Sequence, residues 1–271
     1  SMRKTDNKKI GIVGCGAIGE GVARYIDKKL QGKAYLWAIA DRVKEKAGAL
    51  AKQLSRTPKI LDTDNLIKEV DLIIEAASQK CAEHILKKIG NRTKEVIILS
   101  VGALVKNPRF IQDASRAKIY VPSGAICGVD GIGALALGSI RRISLITSKP
   151  PRGLLGAEYI RRKAIRLEGI KKEKVVFVGS VKEAIRYFPR NINVAATLLL
   201  ASSSKNVRVR IVANPHIGRN VHRIEIEAKE ARVSIDIENV PSNINPKTST
   251  LAILSVQYLL KKIFSSFKIG S

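Results

Sequence analysis

The sequence predicts an α/β protein, with a doubly wound parallel sheet in its N-terminal part and a second α+β unit after it. Three observations carry that reading. Up to Ser123, short and almost continuously apolar runs alternate with amphipathic stretches. Directly after Pro122 come five glycines, Gly124, Gly128, Gly131, Gly133 and Gly138. Beyond Asn206 the apolar residues alternate with polar ones over longer runs.

The first group of runs reads as strands at residues 9–14, 34–40, 71–77, 95–101 and 118–123. Between them lie helical patterns: Ile18, Val22, Tyr25 and Ile26 at helical spacing, then residues 42–54, then a helix around 82–89. Strands that are apolar throughout need cover on both faces, and the intervening helices supply it; this is the pattern of a parallel sheet. The glycine cluster suggests a linker and a closely packed helix. Residues 207–213, 223–228 and 231–238 have the period of strands with one solvated face, as in an antiparallel or mixed sheet. Residues 246–264 close the chain with a helical pattern. The expected division is a first domain over residues 1–122 and a second over 123–245.

The first strand runs into GIVGCGAIG, placing Gly14, Gly16 and Gly19 in the spacing G-x-G-x-x-G. In a strand–turn–helix, the first glycine allows the tight turn, the second lets a pyrophosphate approach the backbone, and the third packs helix on sheet. The helix start, with Ala17 and Ile18, offers N–H groups and a positive dipole end to phosphates. Asp41 ends the next strand, 22 residues after Gly19, where an acidic side chain accepts hydrogen bonds from the adenosine ribose. This is a Rossmann fingerprint, and it implies NAD or NADP. Asp41 repels a 2′-phosphate and favours NAD, whereas Arg42 beside it is placed to pair with that phosphate.

A dinucleotide that carries hydride needs a proton-transfer partner. Histidine, titrating near ~6.5, suits that work. The chain has His84, His216 and His222. His84 falls on a helix and reads as an exposed structural residue, and His216 follows Pro215 in a turn. His222, at the start of a second-domain strand and expected to be partly solvated, is the candidate. Cys15, Cys81 and Cys127 form no CxxC pair and suit a reducing compartment. No metal site is expected.

Charge is the unusual feature: 49 Lys and Arg against 23 Asp and Glu, a net +26. Nucleic-acid binding has to be weighed. Residues 141–174 hold eleven basic side chains against Glu158, Glu168 and Glu173. Aromatics make up only 4%, so stacking platforms are scarce, and the charge is spread along the chain. A steering field for anions fits better than specific nucleic-acid recognition. No apolar run reaches the roughly 20 residues that span a bilayer, and the N-terminal stretch lacks the apolar core of a secretory signal. A cytoplasmic location is expected.

Beyond these class-level features, GIVGCGAIG, EAAS (residues 75–78), LSVGAL (99–104), PSGAICGVDG (122–131), FPRNINVAATL (188–198), NVHRIEI (220–226) and NPKTSTLAILS (245–255) occur in one order. Over nearly its full length the chain resembles the L-aspartate dehydrogenase family. The resemblance implies oxidation of L-aspartate with NAD or NADP to iminoaspartate, which feeds NAD synthesis or hydrolyses to oxaloacetate and ammonia. It implies that His222 is the active-site histidine, and that Ala125 and either Asn191 or Asn193 contact the nicotinamide side of the cofactor. It also implies a homodimer and a C-terminal helix, within residues 246–271, that returns to the Rossmann domain. A dicarboxylate needs basic partners, for which Arg190 and Lys247 are the candidates. Two other readings are a reductase of an anionic imine, similar to dihydrodipicolinate reductase, and a non-catalytic NAD-sensing protein that binds nucleic acid. The first requires a histidine pair that the second domain lacks, and the second leaves His222 without a role.

Overall fold

The computed structural model describes residues 7–90, 92–114, 116–188, 192–204, 206–246 and 248–270. The chain forms two compact units, one of residues 1–122 with 253–268, the other of residues 123–252 with 269–271.

In the first unit the order is β1 (Lys8–Val13), α1 (Ala17–Lys29), β2 (Ala34–Ala40), α2 (Lys44–Ala51), β3 (Lys59–Ile60), α3 (Thr63–Glu69), β4 (Leu72–Glu75), α4 (Gln79–Ile89), β5 (Glu95–Ile98), the short α5 (Gly102–Lys106) and α6 (Arg109–Gln112), and β6 (Lys118–Tyr120). The six strands lie in the order β3-β2-β1-β4-β5-β6, every pair parallel. Strand order reverses between β1 and β4, and in such sheets ligands bind at the carboxyl ends of the strands at this switch point. Ile10, Ile12, Ile73, Ile74, Val96 and Ile97 are fully buried, as strands covered on both faces require. Helix α1 packs Val22, Ala23 and Ile26 inward. It carries Glu20 in its first turn and Lys28 and Lys29 in its last, each complementing the helix dipole.

The second unit contains α7 (Val129–Leu135), β7 (Ile140–Lys149), α8 (Glu158–Arg162), β8 (Lys174–Ser180), α9 (Val181–Tyr187), α10 (Asn193–Ser202), β9 (Val207–Ala213), β10 (Asn220–Ala228) and β11 (Arg232–Asn239). Its sheet is mixed, in the order β11-β10-β7-β9-β8, with β7 and β9 parallel and the other neighbours antiparallel. Helix α9 packs on β8 and β9, and α10 on β9 and α7. Ser180 and Glu183 close a reciprocal cap at the start of α9.

The last helix, α11 (Thr250–Ile263), returns to the first unit. Val256 and Leu260 are fully buried in the same cluster as Ile10, Ile12, Val22 and Ile26. Gln257 donates through Nε2 to the Gly21 carbonyl at 3.0 Å.

Several boundaries differ from the sequence expectation. The last helix starts at Thr250 rather than at 246, because the Ser242 N–H donates to the Thr248 carbonyl and the Thr250 N–H to the Val240 carbonyl. The segment before it is thereby held as a folded-back extended stretch. Helix α2 is shorter than 42–54, since Val43 is extended and its N–H is taken by the Asp41 side chain. Strands β3, β7 and β8 and helix α3 escaped the reading altogether.

Candidate active site

In the first unit each glycine of the fingerprint has its own geometric reason. Gly14 has φ +104°, and a Cβ there would stand 2.5 Å from the Ala76 carbonyl oxygen. A Cβ on Gly19 would lie 1.8 Å from the Gly14 carbonyl oxygen, so helix and loop touch only because it has none. Around Gly16 a Cβ would meet nothing within 4 Å. The open space is therefore at the middle glycine, in front of the first turn of α1. The N–H groups of that turn, at Ala17, Ile18 and Gly19, lack intrahelical acceptors by the geometry of a helix start.

Asp41, just past β2, holds this loop from the side. Its Oδ2 accepts from the Cys15 N–H at 2.7 Å and its Oδ1 from the Val43 N–H at 2.8 Å. Each oxygen keeps a lone pair for a further donor. Arg42 beside it is exposed. The Cys15 thiol is buried and pushed up to about 12, first by desolvation and then by the Asp41 charge. It stays protonated at neutral pH.

A residue that sequence reasoning passed over organises the neighbouring loop. Glu75, at the end of β4, is fully buried. Its Oε1 accepts from the N–H groups of Ala77 and Ser78 and from the Ser100 hydroxyl, and its Oε2 from the Ser100 N–H, all at 2.9 Å. Burial pushes its carboxyl up while these four donors hold it down. The carboxylate thus ties the ends of β4 and β5 together and fixes the Ala76 carbonyl against Gly14. An open approach at Gly16, a helix start of the right polarity and an acidic acceptor at the end of β2 fit a dinucleotide.

In the second unit His222 lies on β10 directly opposite Thr147 of β7. Its Nδ1 is 3.0 Å from Thr147 Oγ1. The expectation of a partly solvated histidine is corrected: His222 is 4% exposed and Thr147 5%. The register puts both side chains on the covered face of the sheet, alongside Ile224 and Leu145 one step further. Burial, and secondly the positive charge of Lys149, push the imidazole down to about 4. His222 is therefore neutral throughout the neutral pH range. Lys149, two residues beyond Thr147, is 8% exposed and pushed down to about 8 by burial.

Ala125 sits in a loop bounded by Gly124 at φ +67° and Gly128 at φ +75°. The Ala125 carbonyl accepts from Asn239 Nδ2 at 3.1 Å, and Asn239 Oδ1 accepts from the Ser249 hydroxyl at 2.5 Å. Asn239, 3% exposed, pins that loop, and nothing in its sequence surroundings marked it. Asn193 is the exposed first residue of α10. Arg190, Asn191 and Lys247 lie outside the described residues. His84 pairs with Asp64 at 2.6 Å on the surface, and His216 donates its N–H to the Asn214 side chain in a turn. Among the described residues no cluster of His, Cys, Asp and Glu is arranged to hold a metal.

A parallel sheet in the order 3-2-1-4-5-6 with a glycine fingerprint at its switch point, joined to a unit that buries a neutral histidine, defines a dinucleotide-dependent dehydrogenase. Comparison with known proteins narrows this. Residues 130–263 match the family model "Aspartate dehydrogenase, C-terminal", and residues 14–122 match "Homoserine dehydrogenase, NAD binding domain". The L-aspartate dehydrogenase of Methanosarcina barkeri is 40% identical over 97% of this chain and 99% of its own, and that of Methanosarcina acetivorans is 42% identical over the same shares. The crystal structure of aspartate dehydrogenase from Thermotoga maritima superposes with a TM-score of 0.75 at 27% identity, over 97% of this chain and 100% of that one. The chain belongs to the L-aspartate dehydrogenase family.

Proposed function

We propose that the protein oxidises L-aspartate with NAD or NADP to iminoaspartate, which hydrolyses to oxaloacetate and ammonia. The observation that carries this is His222, neutral and buried on a second unit of aspartate dehydrogenase type, in a chain whose first unit has the dinucleotide fingerprint. The cofactor, when bound, accepts the hydride from the substrate Cα. Gly16 and the first turn of α1 hold its pyrophosphate, Asp41 its adenosine ribose with Arg42 alongside, and Ala125 with Asn191 or Asn193 its nicotinamide end.

His222 handles the proton. When its Nδ1–H donates to Thr147 Oγ1, Nε2 keeps its lone pair and can accept a proton from the substrate amine or from the water that attacks the imine. Thr147 thereby sets which ring nitrogen is the base. Arg190 and Lys247 are the basic groups proposed for the substrate carboxylates. The net charge of +26 draws both the anionic substrate and the cofactor toward the surface, an effect that salt weakens.

Among the described residues no helix is long and apolar enough to cross a membrane. With its three cysteines unpaired, the protein is proposed to work in the cytoplasm. It is proposed to work as a homodimer, for which the uncovered Val175 and Val178 of β8 offer apolar surface; light scattering on the purified chain measures this. The substrate test is NADH formation across a panel of amino acids. L-Aspartate should be the best substrate, and equal turnover of L-alanine or L-glutamate overturns the assignment.

A further inference from the structure

Neighbouring strands of the second sheet turn from apolar to polar at the same end of the covered face. On β10 the inward residues run Ile226, Ile224, His222, and on β11 Ile235 and Ile237 give way to Asn239. The register sets Ile235 opposite Ile224, Ile237 opposite His222 and Asn239 opposite Asn220. Residues directly opposite share a face, as do alternate residues of one strand. Asn239 therefore stands on the face of His222, one row further on, and it is 3% exposed.

A buried amide costs free energy unless its polar atoms are met, whereas an aliphatic side chain in the same place needs no partner. Two partners meet this one, and they fix its orientation. The Ala125 carbonyl can only accept, so Nδ2 must face it, at 3.1 Å, which leaves Oδ1 for the Ser249 hydroxyl at 2.5 Å. Ser249 arrives there because the chain folds back after β11, where the Thr250 N–H donates to the Val240 carbonyl and the Ser242 N–H to the Thr248 carbonyl. The Ala125 loop meets β11 a second time at Gly128, where a Cβ would stand 2.7 Å from Ile235 Cδ1. Both contacts lie within the second unit.

We propose that Asn239 is a positioning residue for hydride transfer: through the Ala125 carbonyl it holds the loop that meets the nicotinamide in register with His222. This rests on the aspartate dehydrogenase reading, in which Ala125 lies at the nicotinamide end and His222 takes the proton. In that reaction the C–H electron pair leaves the substrate Cα as hydride to the cofactor, the amine nitrogen loses a proton to His222, and C=N forms between the two atoms. Loop and base must therefore keep a fixed separation. The pairing of β10 with β11 supplies it, since one strand carries His222 and the other anchors the loop. A misplacement of about 1 Å between reacting groups costs on the order of 10²-fold in rate. Asn239 itself touches neither cofactor nor substrate in this scheme. The adenosine half of the dinucleotide depends on residues of the first unit instead.

The test uses Asn239→Leu, which keeps the volume of the side chain and removes both hydrogen bonds, with Ser249→Ala and Ser249→Thr beside it. In the protein without ligand, hydrogen exchange at the amides of residues 123–128 rises in Asn239→Leu, while exchange in β1 and α1 stays at the wild-type level. Affinity for ADP-ribose, which lacks the nicotinamide, is unchanged. NADH affinity falls roughly 5- to 10-fold, and kcat falls about 100-fold. Ser249→Ala shows smaller changes of the same kind, and Ser249→Thr, which keeps the hydroxyl, does not. A merely structural role would lower Tm and weaken the two ligands alike. A folded Asn239→Leu whose kcat stays within about threefold of wild type, less than the worth of one net hydrogen bond, overturns the proposal, as does an equal loss of affinity for NADH and ADP-ribose. Should Asn239→Leu not fold, Ser249→Ala with wild-type exchange at residues 123–128 and wild-type kcat overturns it equally. Wild type that leaves NAD unreduced with L-aspartate overturns the aspartate reading and the proposal with it, whereas an active wild type beside indifferent variants overturns the proposal alone.

Discussion

Apart from the Asp41 and Arg42 side chains, the groups proposed to meet a ligand in the first unit belong to the main chain. They are the N–H groups of a helix start and a glycine with open space before it, contributed by residues 14–19. In the second unit they are side chains, Thr147 and His222, which lie 75 residues apart and meet only because β7 and β10 pair in one register. The first kind of site is built locally and tolerates little change at a few positions. The second depends on strand pairing: a slip of one residue would turn His222 to the opposite face. The two units thus place their demands on different levels of the structure, one on backbone shape and the other on long-range register.

The sharpest way to break this contrast is Gly16→Val. Nothing stands within 4 Å of the added Cβ, so the fold and Tm should hold, while the new side chain fills the pyrophosphate's approach and abolishes NADH binding. Fluorescence titration decides it, and near-normal affinity would move the site elsewhere. His222→Ala comes next. Loss of a positioned base should cut kcat by about 10²- to 10⁴-fold with NADH affinity retained. If the variant keeps more than about a third of kcat, far outside that range, the histidine is structural. Because the imidazole is held down to about 4, the wild-type rate should show no histidine limb between pH 6 and 8. Stability tells the same story with a definite sign: the unfolded chain protonates this histidine near ~6.5 and the folded one does not. Its contribution is complete above that value and is lost as pH falls toward about 4, which thermal melts in acid will show.

Asp41→Ala should shift the preference between cofactors by about tenfold toward NADP, the worth of one charge-assisted hydrogen bond and a removed repulsion. An unchanged ratio of kcat/KM for the two cofactors means that Asp41 does not face the ribose. The smallest effect is expected for Thr147→Val, which leaves the imidazole in place but removes the partner of Nδ1. A net hydrogen bond is worth about 1 kcal/mol, so kcat should fall roughly 3- to 10-fold. An intact rate would show that packing alone fixes the ring.

The same contrast explains what could be read from the sequence. The glycine fingerprint and Asp41 were legible because strand, turn and helix follow one another within a few residues. Glu75 was visible only as part of EAAS; its role appears when β4 and β5 end side by side and Ser100 reaches it. Strand β7 was hidden by its own composition. Its second and third residues are Arg141 and Arg142, and its inward positions change from Ile143 and Leu145 to Thr147 and Lys149, so the apolar period fails halfway along the strand. His222 was recognisable as a residue, but its burial depended on a pairing with β7 that no local pattern announces.

The helix that closes the first unit has a consequence for how the protein is made. Residues 7–120 hold all six strands of that unit, yet Val256 and Leu260, at the centre of its core, leave the ribosome after the whole of β7–β11. During synthesis the nucleotide-binding sheet therefore waits with the flank of α1 at Gly21 unsealed, while residues 123–252 can collapse as a unit. The part of the chain that is translated first is the last to be completed, so that a product truncated before Ile253 would carry both candidate sites but lack the residues that cover α1 at Gly21.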